Sequence, residues 1–198
     1  MKKPRWIISI CLILAVFWVC AVPAWAESPT AYVRGILDKV MGLQNDPSLS
    51  NQARATAIHG IIERNFDFSM MAKESLGSAY GNLSGGQRQE FTRTFSYLFQ
   101  DSYTRLVLNF LKKENIQYGA ERREGDRARV DTTIVRTNEN IPVTYLMHTA
   151  PQGWILYDVI VDGVSILHNY QTQFGQVIRT KSFDFLLQKM TEQRRAIQ

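Results

Sequence analysis

Cysteine is almost missing from this chain: its two, Cys11 and Cys20, both fall before residue 27. Beyond that point no thiol is available to form a disulfide, hold a metal or act as a nucleophile, so an apolar core has to hold the fold together. Histidine is scarce as well. His59, His148 and His168 lie far apart, and no group of His, Asp and Glu has the spacing of a metal site. G-x-S-x-G, H-E-x-x-H and Walker-type glycine loops are absent, which removes the common signatures of hydrolases and nucleotide-dependent enzymes. After the first segment, no apolar run reaches the about 18 residues that mark a membrane-spanning helix.

What is present begins with a leader. Lys2, Lys3 and Arg5 form a positive region, Trp6 to Val22 an uncharged apolar stretch, and Ala24-Trp25-Ala26 a small-residue cleavage pattern ahead of Glu27. These predict a secretory signal peptide over residues 1–26 and export of residues 27–198 as one soluble domain. The alternatives are an uncleaved anchor and a lipoprotein signal at Cys20, where Val19 occupies a position that needs a small residue. Removing the three leader cations lowers the formal net charge from +5 to +2, too small an excess to point to nucleic acid.

Periodicity organises the rest. Tyr32, Ile36, Leu37, Val40 and Leu43 recur at helical spacing from Pro29 to Asn45, and Asp46-Pro47 breaks the run. Ser50 is placed to cap a second helix with Ala57, Ile58, Ile61 and Ile62. A shorter third passes through Met70, Met71 and Leu76 to stop near Gly77. Asn82 to Gly86 reads as a loop, with Ser84 as N-cap of a long helix reaching about Lys112. On that helix Phe91, Phe95, Leu98, Phe99, Ser102, Tyr103, Leu106 and Phe110 form a wide stripe that needs a large apolar partner.

Period two takes over from Asn115. It predicts strands at about 115–123, 127–136, 141–149 and 154–162, joined by short turn-rich gaps and therefore by hairpins. Ser165 then caps a helix carrying Ile166, Leu167, Tyr170, Phe174, Val177 and Ile178, and a last helix carries Phe183, Leu186, Leu187 and Met190. The class is α+β, a twisted four-stranded antiparallel meander packed against N-terminal and C-terminal helices. In the second strand Ala128, Val130, Thr132 and Ile134 alternate with Arg127, Arg129 and Asp131, one face covered and one wet. In the last, both the Trp154 set and the Tyr157 set are apolar, so it is expected to be buried on both faces. Asp158 inside it needs backbone donors or an arginine as partners. No nucleophile and base pair can be named, and no enzyme is expected. Aromatic and methionine side chains are in surplus instead, and a sheet with helices laid over one face can leave a cavity between the layers.

Three stretches, in this order, resemble a known family. Asn65-Phe66-Asp67-Phe68 through Met71-Ala72 to Leu76-Gly77 is the first. Phe91 to Tyr103, reading F-T-R-T-F-S-Y-L-F-Q-D-S-Y, is the second. Gly153 to Ser165, followed by Asn169-Tyr170 and Gln173-Phe174, is the third. Together they are similar to the MlaC, or toluene-tolerance, family of periplasmic phospholipid-binding proteins across nearly the whole mature chain. Gln171, Tyr80 and Lys181-Ser182 depart from the family's usual arginine, tryptophan and glycine.

The resemblance implies a sheet and helices with an apolar pocket between the layers, holding the acyl chains of a phospholipid as cargo and no cofactor. Its lining is expected from Met71, Leu76, Phe95, Leu98, Phe99, Tyr103, Leu106 and Phe110, from Val143, Tyr145, Met147, Tyr157 and Val159, and from Val164, Leu167, Tyr170 and Phe174. It further implies a monomeric periplasmic carrier that meets membranes through an inner-membrane MCE-domain ABC transporter complex and an outer-membrane lipoprotein complex. A hopanoid or other lipid cargo, or an adaptor whose groove takes a partner's helix, are the alternatives. A carrier answers a physical need, since exposing about thirty methylenes to water costs on the order of 20 kcal/mol.

Overall fold

The computed structural model describes residues 27–111 and 114–197, and the expected signal peptide lies outside them. Helices come first: α1 (Pro29–Asn45), α2 (Asn51–Asn65), α3 (Phe68–Leu76), the single turn α4 (Ser78–Gly81) and the long α5 (Gly85–Phe110). The expected caps form. Ser50 Oγ accepts from the Ala53 amide, and Ser84 Oγ accepts from the Gln87 amide while the Gln87 side chain accepts from Ser84 N–H, a complete capping box on α5. At the other end of α5, Gln44 donates to the Val107 and Leu111 carbonyls and Arg136 donates to the Phe110 carbonyl at 2.7 Å. These side chains satisfy carbonyls that the helix itself leaves unpaired.

The sheet contains β1 (Asn115–Glu124), β2 (Arg127–Val135), β3 (Asn140–Ala150), β4 (Gly153–Val161) and β5 (Val164–Ser165), followed by α6 (Ile166–Thr180) and α7 (Phe183–Ile197). Neighbours pair antiparallel in chain order, an open meander in an α+β fold. The expected count of four strands is corrected to five. Asp162 (φ 49°) and Gly163 (φ 79°) both take left-handed backbone, a tight turn that folds Val164 and Ser165 back onto Val161 and Ile160. Two residues are too few to show alternation, so the sequence reveals only the helix cap at Ser165.

Register decides a point that alternation leaves open. Met147 lies opposite Leu156 and Tyr145 opposite Val159, so β4 carries one extra residue between these pairs, and Tyr157 sits in the bulge. Trp154, Leu156, Val159 and Val161 consequently share one face of the sheet. That face is covered by α1, and the opposite face of β4 is buried as well at Ile155 and Asp158, so this strand is buried on both faces as expected. Val130, Tyr145, Met147, Trp154 and Leu156 pack with Val33 and Leu37 of α1 in one apolar cluster. A second cluster fills the helical layer, with Met71, Phe91, Phe95, Leu98, Phe99 and Phe174 in α3, α5 and α6 and Leu186 and Met190 in α7.

Candidate functional site

α5 organises the helical cluster. At 3.6 residues per turn Phe91, Phe95, Phe99, Tyr103, Leu106 and Phe110 fall along one side of the helix. The first three are fully buried, whereas Leu106 and Phe110 are 38 % and 48 % exposed. One apolar stripe therefore starts inside the protein and ends in solvent. Its buried part is a nest of rings: Phe99 stacks on Tyr103 with centroids 4.1 Å apart, Phe95 meets Tyr170 edge-on at 5.2 Å, and Phe66 reaches Phe99 at 5.2 Å. Each such pair is worth about 0.5–1.5 kcal/mol beyond the burial of its rings.

The residues expected to line a pocket divide in three. Met71, Leu76, Phe95, Leu98, Phe99, Tyr103, Tyr157, Leu167, Tyr170 and Phe174 come together in the helical cluster. Val143, Tyr145, Met147 and Val159 belong to the cluster between the sheet and α1. Leu106, Phe110 and Val164 are exposed. The two clusters meet at Phe66, which packs on both and was not among the expected lining residues. Its signal was the aromatic pair around Asp67, and Phe68 likewise reaches Phe99 at 5.6 Å.

Polar groups near these rings are neutral or well satisfied. Burial pushes the Tyr170 hydroxyl up to about 12, against the opposing pull of its hydrogen bond with Ser102. Burial, then the neighbouring Tyr170 and Asp158, also push Tyr103 up. Asp158 is buried and accepts from Ser165 Oγ at 2.6 Å, from Leu167 N–H at 3.0 Å and from Val159 N–H at 2.9 Å. The acid thus has the backbone partners expected of it and ties the start of α6 to β4. The histidines face carboxylates: His59 Nε2 is 3.6 Å from Asp101 Oδ1 and His148 Nε2 is 3.0 Å from Asp67 Oδ2. His168 is exposed. Among the described residues no group of three or more His, Cys, Asp and Glu is arranged to hold a metal ion.

Two surface clefts lie elsewhere. One of about 1080 Å³ is bordered by polar side chains including Gln44, Asn51, Arg54, Arg136 and Glu139. The other, of about 510 Å³, runs between α1 and α2 past Gly42, Leu43, Ala57 and Gly60. Neither contains an expected lining residue.

Residues 34–192 match the family model described as MlaC protein. The chain belongs to the MlaC family. Among its relatives, the intermembrane phospholipid transport system binding protein MlaC of Haemophilus influenzae is 22 % identical over 202 residues, covering 95 % of this chain and 92 % of that protein. A solved structure, the phospholipid-binding protein from Ralstonia solanacearum in complex with a phospholipid, superposes with a TM-score of 0.75. Its identity is 22 %, over 86 % of this chain and 98 % of that one. The likeness extends the MlaC fold to this chain, and among the described residues no helix is long and apolar enough to cross a membrane.

Proposed function

We propose that this MlaC-family chain is a soluble periplasmic carrier that binds phospholipid by its acyl chains and moves it between the inner and outer membranes, without catalysing a reaction. The observation that carries the proposal is the α5 stripe, apolar along its whole length, buried among aromatic rings at one end and open to water at the other. Chains enter along Leu106 and Phe110, displace the rings around Phe99 and Tyr103 beside Phe66, and leave the headgroup toward solvent. One compared protein is described as a phospholipid-binding protein in complex with a phospholipid and the other as the binding protein of an intermembrane phospholipid transport system, which supports this cargo. An MCE-domain ABC transporter complex and an outer-membrane lipoprotein complex are the proposed partners, and the leader over residues 1–26 the export signal.

Native mass spectrometry of the mature protein, purified without detergent, tests the proposal. Stoichiometric phospholipid, or its uptake from vesicles by delipidated protein, is expected. Protein that carries none and takes up none overturns it in favour of an adaptor.

A further inference from the structure

The helical layer is fastened to β4 at two separate places. One is Asp158, which holds the Ser165 hydroxyl and the Leu167 amide at the start of α6. The other lies where α2 passes into α3. Phe66 forms a lone parallel bridge with Leu156, Asp67 N–H donates to the Leu156 carbonyl at 2.8 Å, and Asp67 Oδ2 meets His148 Nε2 of β3 at 3.0 Å. Between these fastenings sit the bulge at Tyr157 and the rings of Phe66, Phe99, Tyr103 and Tyr170.

We infer that His148 and Asp67 form a protonation-dependent latch that positions α3 on the sheet and sets how readily the ring cluster opens. The inference rests on the carrier reading for its purpose, though not for its geometry. Both ring nitrogens of His148 face groups that accept hydrogen bonds, Nδ1 the Thr149 carbonyl and Nε2 the Asp67 carboxylate, each at 3.0 Å. A neutral imidazole has one N–H and satisfies one of the two partners; the imidazolium satisfies both. The carboxylate is held in place from behind, because Asp67 Oδ1 accepts the Met70 amide as the N-cap of α3.

The other groups around the ring come from β2 and β4. Arg127 stands directly across the ladder from His148, and its guanidinium lies 5.5 Å over the Tyr157 ring. The Tyr157 ring is 6.1 Å from the imidazole, and Ile155 pairs with His148 from β4. Among the described residues Asp67 is the anion paired with the ring, and the latch closes with the imidazolium and loosens as His148 loses its proton. Loosening frees the N-terminus of α3, whose neighbours Phe66 and Phe68 both rest on Phe99.

The test is transfer of labelled phospholipid between the mature protein and vesicles of phosphatidylethanolamine and phosphatidylglycerol, between about pH 5.5 and 8. In parallel, hydrogen exchange at the residue 67 amide is followed in delipidated protein, corrected for its intrinsic pH dependence. Wild-type transfer and amide opening are expected to rise about three- to tenfold across this range, the scale of one partly exposed charge-assisted hydrogen bond. His148→Gln makes both profiles flat. Asp67→Asn keeps the helix cap but reverses the slope, since an asparagine amide donates to the bare Nε2 of the neutral ring and loses that bond when the ring is protonated. A His148→Gln protein with the wild-type slope in amide exchange overturns the latch. Normal amide profiles in a protein that takes up no lipid leave the latch standing and overturn the carrier reading instead.

Discussion

At the scale of single residues the buried tyrosines give the clearest energetic consequence. Tyr170 ionises near 10.0 when unfolded and is pushed up to about 12 in the folded protein by burial, with the Ser102 hydrogen bond acting in the other direction. Its contribution to stability is complete below pH 10.0 and is lost as pH rises toward 12, because the unfolded chain then binds fewer protons than the native one. Tyr170→Phe is expected to cost about 1 kcal/mol at pH 8 through the lost hydrogen bond. It should also flatten the decline between pH 8 and 11 in urea unfolding; an unchanged decline would place the alkaline sensitivity elsewhere. Tyr32, Tyr103, Tyr118 and Tyr145, each also raised by burial, keep the rest of the slope, so the variant loses a fraction of the decline and not all of it. At this scale the sequence was readable where chemistry demanded a partner, as at Asp158. It was silent at Tyr157, because an extra residue in a strand leaves no compositional trace.

Among the elements, α5 was the most legible, with its Ser84 cap and its stripe both visible in the sequence. Periodicity could not show that the cover over the stripe ends before Leu106, since exposure depends on where α3 and α6 stop and not on the stripe's own residues. That difference separates two substitutions that look alike on paper. Leu98 is 1 % exposed, so Leu98→Asp buries an unpaired charge and is expected to prevent folding. Leu106 is 38 % exposed, so Leu106→Asp should fold with a near-normal melting temperature and yet lose bound phospholipid, as read by circular dichroism and lipid extraction of the same sample. Folded Leu106→Asp protein that retains lipid would move the entrance away from the end of α5. The same limit applies to β5, whose two residues are set by the backbone of Asp162 and Gly163.

For the whole molecule the question is which of its two apolar clusters yields to cargo. The family resemblance placed Val143, Tyr145, Met147 and Val159 in one lining with the α5 residues, and apolar alternation alone does not say which cluster each joins. The structure gives the sheet–α1 cluster a hydrogen-bonded frame of paired strands. Met147 and Val130 are completely buried, and Trp154 is fixed by its indole N–H donating to the Glu27 carbonyl at 2.8 Å, with the Arg123 guanidinium 4.9 Å from its ring. The helical cluster is as completely buried at Met71, Phe91 and Phe95, but it is built from separate helices joined to the sheet through the two fastenings on β4, and helices can shift as units. Trp154 is the one tryptophan in residues 27–198, so its emission reports on the sheet side alone. Loading delipidated protein with phospholipid is expected to leave the Trp154 emission maximum in place while hydrogen exchange changes in α3, α6 and the last turns of α5. A shift in Trp154 emission with unchanged α3 and α6 would mean that the chains lie against Tyr145 and Met147, and the helical layer would then be a lid over the cargo and not its container.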